Sequence, residues 1–117
     1  MTKKRVSEVY RFLSVASMKK MNDDERIALI RLLRAMKPVF VELKDAVDDA
    51  LEKAKAEMED ESHIIDFVNK AVEDLSNQDA NIETNIMKPD AFDRFCNSND
   101  WNFAQIDELE EVLLKKD

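Results

Sequence analysis

Glycine is missing from this chain of 117 residues, and proline occurs only twice. An average protein contains roughly 7% glycine and roughly 5% proline, so nearly every backbone position here can be helical. The lack of glycine also excludes glycine-rich phosphate loops of the Walker and dinucleotide-binding types, because those loops need a residue without a side chain where backbone approaches phosphate. The sequence therefore predicts an all-α protein.

Cysteine is almost as scarce as glycine. Cys96 is the only one, so neither an intrachain disulfide nor a multi-cysteine zinc site can form, which favours a reducing compartment. No apolar run is long enough to cross a bilayer, and Glu8 and Arg11 interrupt the segment that would form the apolar core of a secretory signal. We expect a cytoplasmic protein that does not act on a membrane.

What the chain does contain is 44% hydrophobic and 38% charged residues, which suits one helical domain with a modest core over residues 1–117. We divide this domain into basic helices (1–37), acidic heptad-like helices (38–77), a loop (76–89) and a C-terminal helical pair (90–117). The expected architecture is about five helices, with a heptad-like helix pair in the middle and a short aromatic helix plus a terminal helix at the end.

A first short helix is predicted over residues 4–17, because apolar side chains recur there at helical spacing. Its buried face consists of Val6, Val9, Tyr10 and Leu13. After a polar link, Asn22 and Glu25 fit a capping box, so a second helix begins there. The inward side of this second helix is predicted to be Ile27, Ile30, Leu33 and Met36, widened by Leu29 and Leu32.

Pro38 marks a predicted kink or helix boundary, since proline disfavours helical geometry at Lys37 and suits the first position of a new helix. Beyond it, apolar residues recur at alternating steps of three and four, which is typical of a heptad seam. The predicted seam consists of Phe40, Leu43, Val47, Ala50, Ala54, Ile64, Val68, Ala71 and Leu75.

This seam is interrupted at two successive positions, Glu57 and Glu61. One alternative is a single rod from 38 to 75, about 57 Å long at a rise of 1.5 Å per residue. The other is a pair of helices, with Ser62 as the N-cap of the second. We favour the pair, because two charged seam positions follow one another and a fresh apolar run begins after Ser62.

The stretch 76–89 is rich in asparagine and aspartate and has no periodicity, so we predict a loop there. Its expected anchors to the core are Ile82, Ile86 and Met87. Pro89 can open a short helix, whose apolar side is Phe92, Phe95 and Cys96. Asn102 and Gln105 then fit a capping box for the last helix, with Trp101 beside it as a hydrophobic staple. The predicted buried stripe of that helix is Ile106, Leu109, Val112 and Leu113.

Candidate catalytic or metal-binding residues are few. A helix would bring Glu59 and Asp66 to the same side as His63, the only histidine, but one histidine among many carboxylates is expected by chance in so acidic a chain. Cys96 lies on an apolar side with two phenylalanines and has no residue nearby to activate it, so we expect it in the core. We therefore expect no metal, no cofactor and no enzymatic activity.

The charges of the chain are strongly segregated. Residues 1–44 contain 11 Lys and Arg against 5 Asp and Glu, a net charge of +6, whereas residues 45–117 have a net charge of −14. Either the basic helices pack on the acidic ones within one molecule, or the basic end of one copy, or a basic partner, meets the acidic end of another. A basic patch that could bind nucleic acid would consist of Lys3, Lys4, Arg5, Arg11, Lys19 and Lys20.

The C-terminal stretches 92–96 and 100–109 combine an aromatic helix, a short polar turn, the pair Trp101-Asn102 and a last helix of alternating hydrophobic and acidic residues. In this the chain resembles small phage tail-assembly chaperones and related prophage proteins over about a quarter of its length. The resemblance implies a cytoplasmic, non-catalytic protein that binds a larger tail protein through helix-in-groove contacts. It transfers no catalytic residue.

These features favour a non-catalytic interaction or assembly protein, acting as a phage or prophage tail-assembly chaperone or structural adaptor and associating with itself or another protein. Its expected partner contacts are Phe40, Leu43, Val47, Ile64, Val68 and Leu75. The alternative is a small regulator that binds nucleic acid through its basic N-terminal helices or mimics it with its acidic face. The net charge of −8 opposes binding to phosphate.

Overall fold

The computed structural model describes residues 1–57 and 60–115 and is built from five helices in this part of the chain. These are α1 (Lys3–Leu13), α2 (Asp23–Glu57), α3 (Glu61–Asn77), α4 (Pro89–Asn97) and α5 (Phe103–Leu113). The all-α prediction is confirmed. The capping boxes predicted at the starts of α2 and α5 are present, with Asn22 and Glu25 bonded reciprocally at 2.9 and 3.0 Å and Asn102 and Gln105 at the same distances.

The predicted boundary at Pro38 is wrong, because α2 continues through this residue as one helix of 35 residues. Proline removes one backbone hydrogen bond and costs roughly 3 kcal/mol in a helix interior. Here Met36 and Leu43, on either side of the proline, are both buried. Packing on both sides of Pro38 therefore holds the helix together, while the proline itself is exposed.

Buried apolar residues form two clusters, and α2 contributes to both. The main cluster joins α1, the first half of α2, α4 and α5, with Leu29, Met36 and Phe95 fully buried. The second cluster lies between the second half of α2 and α3 and consists of Leu43, Ala50, Ala54, Val68 and Val72. The second half of α2 and α3 thus form a helical hairpin with a small core of its own.

Several predicted faces shift by one position. The first helix buries Val6, Val9 and Leu13 as predicted, but it ends at Leu13 rather than at Ser17. In α2 the inward side is Leu29, Leu32 and Met36, while Ile27 is 47% exposed. In α3 Val72 is buried and Ala71 is exposed, since the buried residues of this helix recur at steps of four, at Val68, Val72 and Ser76.

Two helices, α2 and α3, follow one another instead of a single rod, as predicted. The predicted cap is corrected, however, since Asp60 and not Ser62 is the N-cap of α3. The Asp60 side chain accepts hydrogen bonds from the Ser62 backbone N–H at 3.0 Å and from the Ser62 hydroxyl at 2.9 Å. These bonds lower the pKa of the Asp60 carboxyl, as expected for an anion at a helix start.

The predicted loop is shorter than expected, because α3 extends to Asn77. A segment without helix follows, with the isolated bridges Thr2–Asp79 and Met87–Leu114. Met87 is buried, and Ile82 and Ile86 pack against the main cluster, so the predicted anchors are confirmed. Asn85 joins this segment to the end of α5, since its amide donates to the carbonyls of Glu111 and Leu114, both at 2.8 Å.

Candidate interaction surfaces

Five of the six predicted partner contacts lie where the two arms of the hairpin meet, and the sixth lies against α1. Leu43 and Val68 are buried in the second cluster, so they do not present a surface to a partner. Val47, Ile64 and Leu75 pack against the same cluster and are half-buried. Phe40 packs on Tyr10 of α1, with 4.9 Å between ring centroids. Most of the predicted stripe is therefore used inside the molecule.

A groove of about 820 Å³ runs between α1 and the hairpin. Lys4, Ser7 and Arg11 of α1 form one wall, and Val47, Asn69 and Val72 belong to the hairpin side. Since α1 has 11 residues, it is only about 16 Å long and covers part of the hairpin. The rest of this hairpin face is not covered by α1.

We call the uncovered part the arm face; it consists of Val47 and Leu51, both half-buried, and the exposed Ile65. Leu51 lies one helical turn after Val47, and Ile65 lies one turn before Asn69, so both extend the lining of the groove toward the end of α2. Ile65 is the most exposed of the three, at 66%. On the α3 side, the groove is lined by Asp66, Glu73 and Lys70, and Glu61 lies one turn before Ile65; all four charged residues are exposed, and three of them are acidic.

A second surface lies on the first half of α2, on the solvent-facing side opposite the buried residues of this helix. Ile27, Arg31, Arg34 and Val41 recur at steps of three, four and seven and share one side of the helix, which we call the outer face of α2. Ile27 and Val41 are 47% and 41% exposed, and the two arginines are exposed as well. Lys37, one turn before Val41, adds another exposed cation. This surface combines apolar side chains with basic ones.

The sequence pattern identifies Val47 of the arm face but misses the rest of that face and the outer face of α2. The pattern places Ile27 in the core, whereas Val41, Leu51 and Ile65 fall outside the heptad seam. These residues lie outside the buried stripes of their helices, and this position was the only indication of exposure that the sequence offered. Without knowing which stripe α1 covers, the sequence could not distinguish them from residues at the edge of the core.

The predicted basic patch is dispersed over the molecule. Lys3 binds Glu42 at 2.7 Å, and Arg5 lies 3.6 Å from Glu108 and 3.4 Å from Glu111. The remaining four members, Lys4, Arg11, Lys19 and Lys20, are exposed. Arg11 lies over the ring of Phe40 at 5.4 Å, a cation–π contact.

Glu25 and Arg94 form the ion pair that joins the start of α2 to α4. The guanidinium of Arg94 donates from Nε to Glu25 Oε1 at 2.9 Å and from a terminal nitrogen to Oε2. The Arg94 hydrogen bond holds the pKa of Glu25 below its usual value, and the Asn22 backbone N–H lowers it further, although burial opposes both. The Glu25 side chain is 11% exposed, so this capping residue also orders the packing of α4.

The remaining candidates for metal binding or nucleophilic chemistry are His63 and Cys96. His63 is 70% exposed and 3.6 Å from Asp60, and Asp66 lies on the same helix, whereas Glu59 is outside the described residues. Within residues 1–57 and 60–115 no group of three or more His, Cys, Asp or Glu is arranged to hold a metal ion. Cys96 is half-buried beside the main cluster, and desolvation, followed by Asp93 and Glu110, raises the pKa of its thiol. The thiol is therefore poorly suited to nucleophilic chemistry.

A third exposed feature lies around Trp101, which packs on Phe12 and Phe95 at 5.1 and 4.9 Å between ring centroids. Phe103, two residues after Trp101, is 82% exposed, and Val15, three residues after Phe12, is 84% exposed. These are the most exposed large apolar side chains in the described part of the chain.

No protein-family model, curated protein or solved structure matches this chain. Among the described residues, no helix combines the length and the apolar character needed to span a bilayer. A function is therefore inferred from the exposed surfaces of the molecule.

Proposed function

We propose that this chain is a non-catalytic interaction protein that acts in assembly, as a chaperone or structural adaptor of the phage tail type, in the cytoplasm. The observation that carries the proposal is the arm face, an apolar strip with Ile65 66% exposed on a two-helix hairpin. A helical hairpin with one uncovered apolar face can bury that face against a third helix, which is the geometry of helix-in-groove recognition.

Two further observations support the proposal. The arm face continues from the groove beside α1, where the half-buried Val47 and the exposed Asn69 both line the wall, so an incoming helix would meet both apolar and polar side chains. The resemblance of the C-terminal quarter to tail-assembly chaperones points to the same class of partner, a larger helical tail protein.

Co-expression tests this proposal. Candidate phage tail proteins would be produced with the tagged wild type, with the double variant Leu51→Glu and Ile65→Glu, and with Ala56→Glu as a control on an exposed position of the same hairpin. We expect a tail protein to co-purify with the wild type and the control but not with the double variant. Equal recovery with all three chains, or recovery with none, would contradict the proposal.

Binding of nucleic acid remains second to this proposal, because Lys3 and Arg5 of the predicted patch already engage carboxylates. A titration of duplex DNA at low salt separates the two functions. Binding that weakens steeply with salt would favour the regulator, since each phosphate contact releases counterions.

A further inference from the structure

We infer that the arm face receives the outer face of α2 from a second copy of this chain, so that copies join head to tail. The inference rests on the proposed docking role of the arm face and names its occupant. It starts from the charges that remain after the molecule has folded.

Ion pairs within the molecule engage only some of the basic residues in the positively charged part of the chain. Lys3, Arg5, Arg26 and Lys44 form ion pairs within the described residues, all with carboxylates of the same chain. Among those residues, no ion pair within 4.0 Å involves Arg31, Arg34 or Lys37, and all three are exposed. Residues 26–44 contain five basic residues and one acidic residue, so this part of the surface is clearly positive.

The hairpin has the opposite charge. Residues 45–77 contain 11 acidic and 3 basic residues, a net charge of −8 that equals the net charge of the whole chain. Two such hairpins would repel each other, so pairing of arm face with arm face is disfavoured. A basic helix is attracted to the hairpin, and its cations would lie closest to the α3 edge at Glu61, Asp66 and Glu73.

The apolar parts of the two surfaces also match. Ile27 and Val41 mark the outer face of α2 over 14 residues, or about 21 Å of helix. The stretch of α2 from Leu43 to Glu57, which forms half of the hairpin, has the same length of about 21 Å. Ile65 and Leu51 would bury apolar area against Val41 or Ile27, while the arginines of the incoming helix face the carboxylates of α3.

Geometry makes this contact head to tail. The outer face lies on the first half of α2 and the arm face on the hairpin formed by its second half, so one copy cannot bring the two surfaces together. Contacts between two different surfaces produce rings or open chains rather than simple two-fold dimers, unless two copies exchange the contact reciprocally.

Variants with reversed charges test the inference. Their association is measured by sedimentation velocity at 50 and 500 mM NaCl. The protein concentration runs from about 10 µM to about 1 mM, the range in which weakly associating complexes are populated. We expect species larger than the 13.6 kDa monomer at low salt and a dissociation constant at least ~10-fold higher at high salt, because the contact is partly electrostatic. The face variant Arg34→Glu with Lys37→Glu and the arm variant Glu61→Lys with Asp66→Lys should each be monomeric.

Mixing these two variants in equal amounts should restore association, since an acidic face then meets a basic arm and the native pair is also present. The matched control is Lys19→Glu with Lys20→Glu, which changes the net charge as much as the face variant does but lies in the link before α2; it should associate like the wild type. A wild type that is monomeric throughout, a control as defective as the face variant, or a mixture that stays monomeric would each overturn the inference. If the wild type is monomeric yet still captures a tail protein through Leu51 and Ile65, self-docking is overturned and the proposed function stands.

Discussion

Asn85 shows how much a single side chain contributes in a chain without glycine. Its backbone has a φ of 60°, in the left-handed region that costs most residues other than glycine and asparagine about 1–2 kcal/mol. Its side chain donates to two carbonyls at the end of α5, and its backbone N–H donates to Val112 at 2.8 Å. The residue therefore combines a backbone role and a capping role.

Substitution can separate these two roles. We expect Asn85→Ala to lower the free energy of unfolding by about 2 kcal/mol, because it loses both the hydrogen bonds and the tolerance of positive φ. Asn85→Gly should lose about 1 kcal/mol, since glycine keeps the backbone conformation. Urea denaturation measures both values.

The control is Asn81→Gly, at the other residue with a positive φ, 53°. Here the backbone N–H, and not the side chain, donates to Asp79, so the substitution should change the free energy of unfolding by less than about 0.5 kcal/mol. Equal losses for Asn85→Ala and Asn85→Gly would contradict the backbone role.

Glu25 gives a prediction about pH. Its pKa is lower in the folded chain than the usual 4.5, so the ionised carboxylate stabilises the fold above about pH 4.5, and this contribution is lost as the pH falls through the lowered pKa. Glu25→Gln retains an acceptor for the Asn22 backbone N–H but removes the charge opposite Arg94. We expect the variant to be less stable than the wild type at pH 7, with a gap that narrows toward pH 3. Denaturation at both pH values measures it, and a gap independent of pH would show that the ion pair does not contribute.

At the scale of elements, α2 is the unexpected feature. It continues through Pro38 because buried residues on both sides of the proline belong to packed clusters, and the exposed pyrrolidine ring meets solvent. The low helix preference of proline therefore predicted a helix boundary at Pro38 that is wrong, whereas the capping boxes at Asn22 and Asn102 were predicted correctly. Caps depend on residues three positions apart, but the continuity of a helix through proline depends on partners distant in sequence.

Replacing the proline tests this account. Pro38→Ala should raise the free energy of unfolding by about 1–3 kcal/mol, since the new N–H can bond to the carbonyl of Arg34. Pro89→Ala is the matched control, because Pro89 is at the start of α4, where a backbone N–H has no partner within the helix. It should yield no comparable gain. Thermal and urea denaturation would measure both variants, and a destabilising Pro38→Ala would mean that the packing of α2 requires the proline.

At the scale of the whole molecule, the long axis of 52 Å agrees with the length of α2, about 52 Å for 35 residues. The main cluster contains fourteen buried residues from both ends of the chain, whereas the hairpin cluster contains five, two of them alanine. Less apolar area is thus buried in the hairpin, and its local stability should be lower.

Hydrogen exchange measures this difference. In 500 mM NaCl, where head-to-tail contacts are weakened, we expect amides at 50–54 and 64–68 to exchange faster than those at 29–36 and 109–113. Uniform protection across all four segments would show that the two clusters unfold as one unit. At 50 mM NaCl the hairpin amides should gain protection if the arm face is covered by another copy.

The sequence by itself determined the helical class, the helix starts that depend on local caps, and the apolar anchors of the segment after α3. Absence of glycine and the spacing of polar residues act locally, so these features need no knowledge of distant contacts. Only the tertiary structure decided that α2 is continuous, that Asp60 caps α3, and that Leu43 and Val68 face inward. It also showed that Val41 and Ile65 remain exposed, because α1 is too short to cover the hairpin and the outer side of α2 has no neighbour among the described residues. Which apolar stripe is covered depends on the lengths and crossing of all the helices, and that information is distributed over the whole chain.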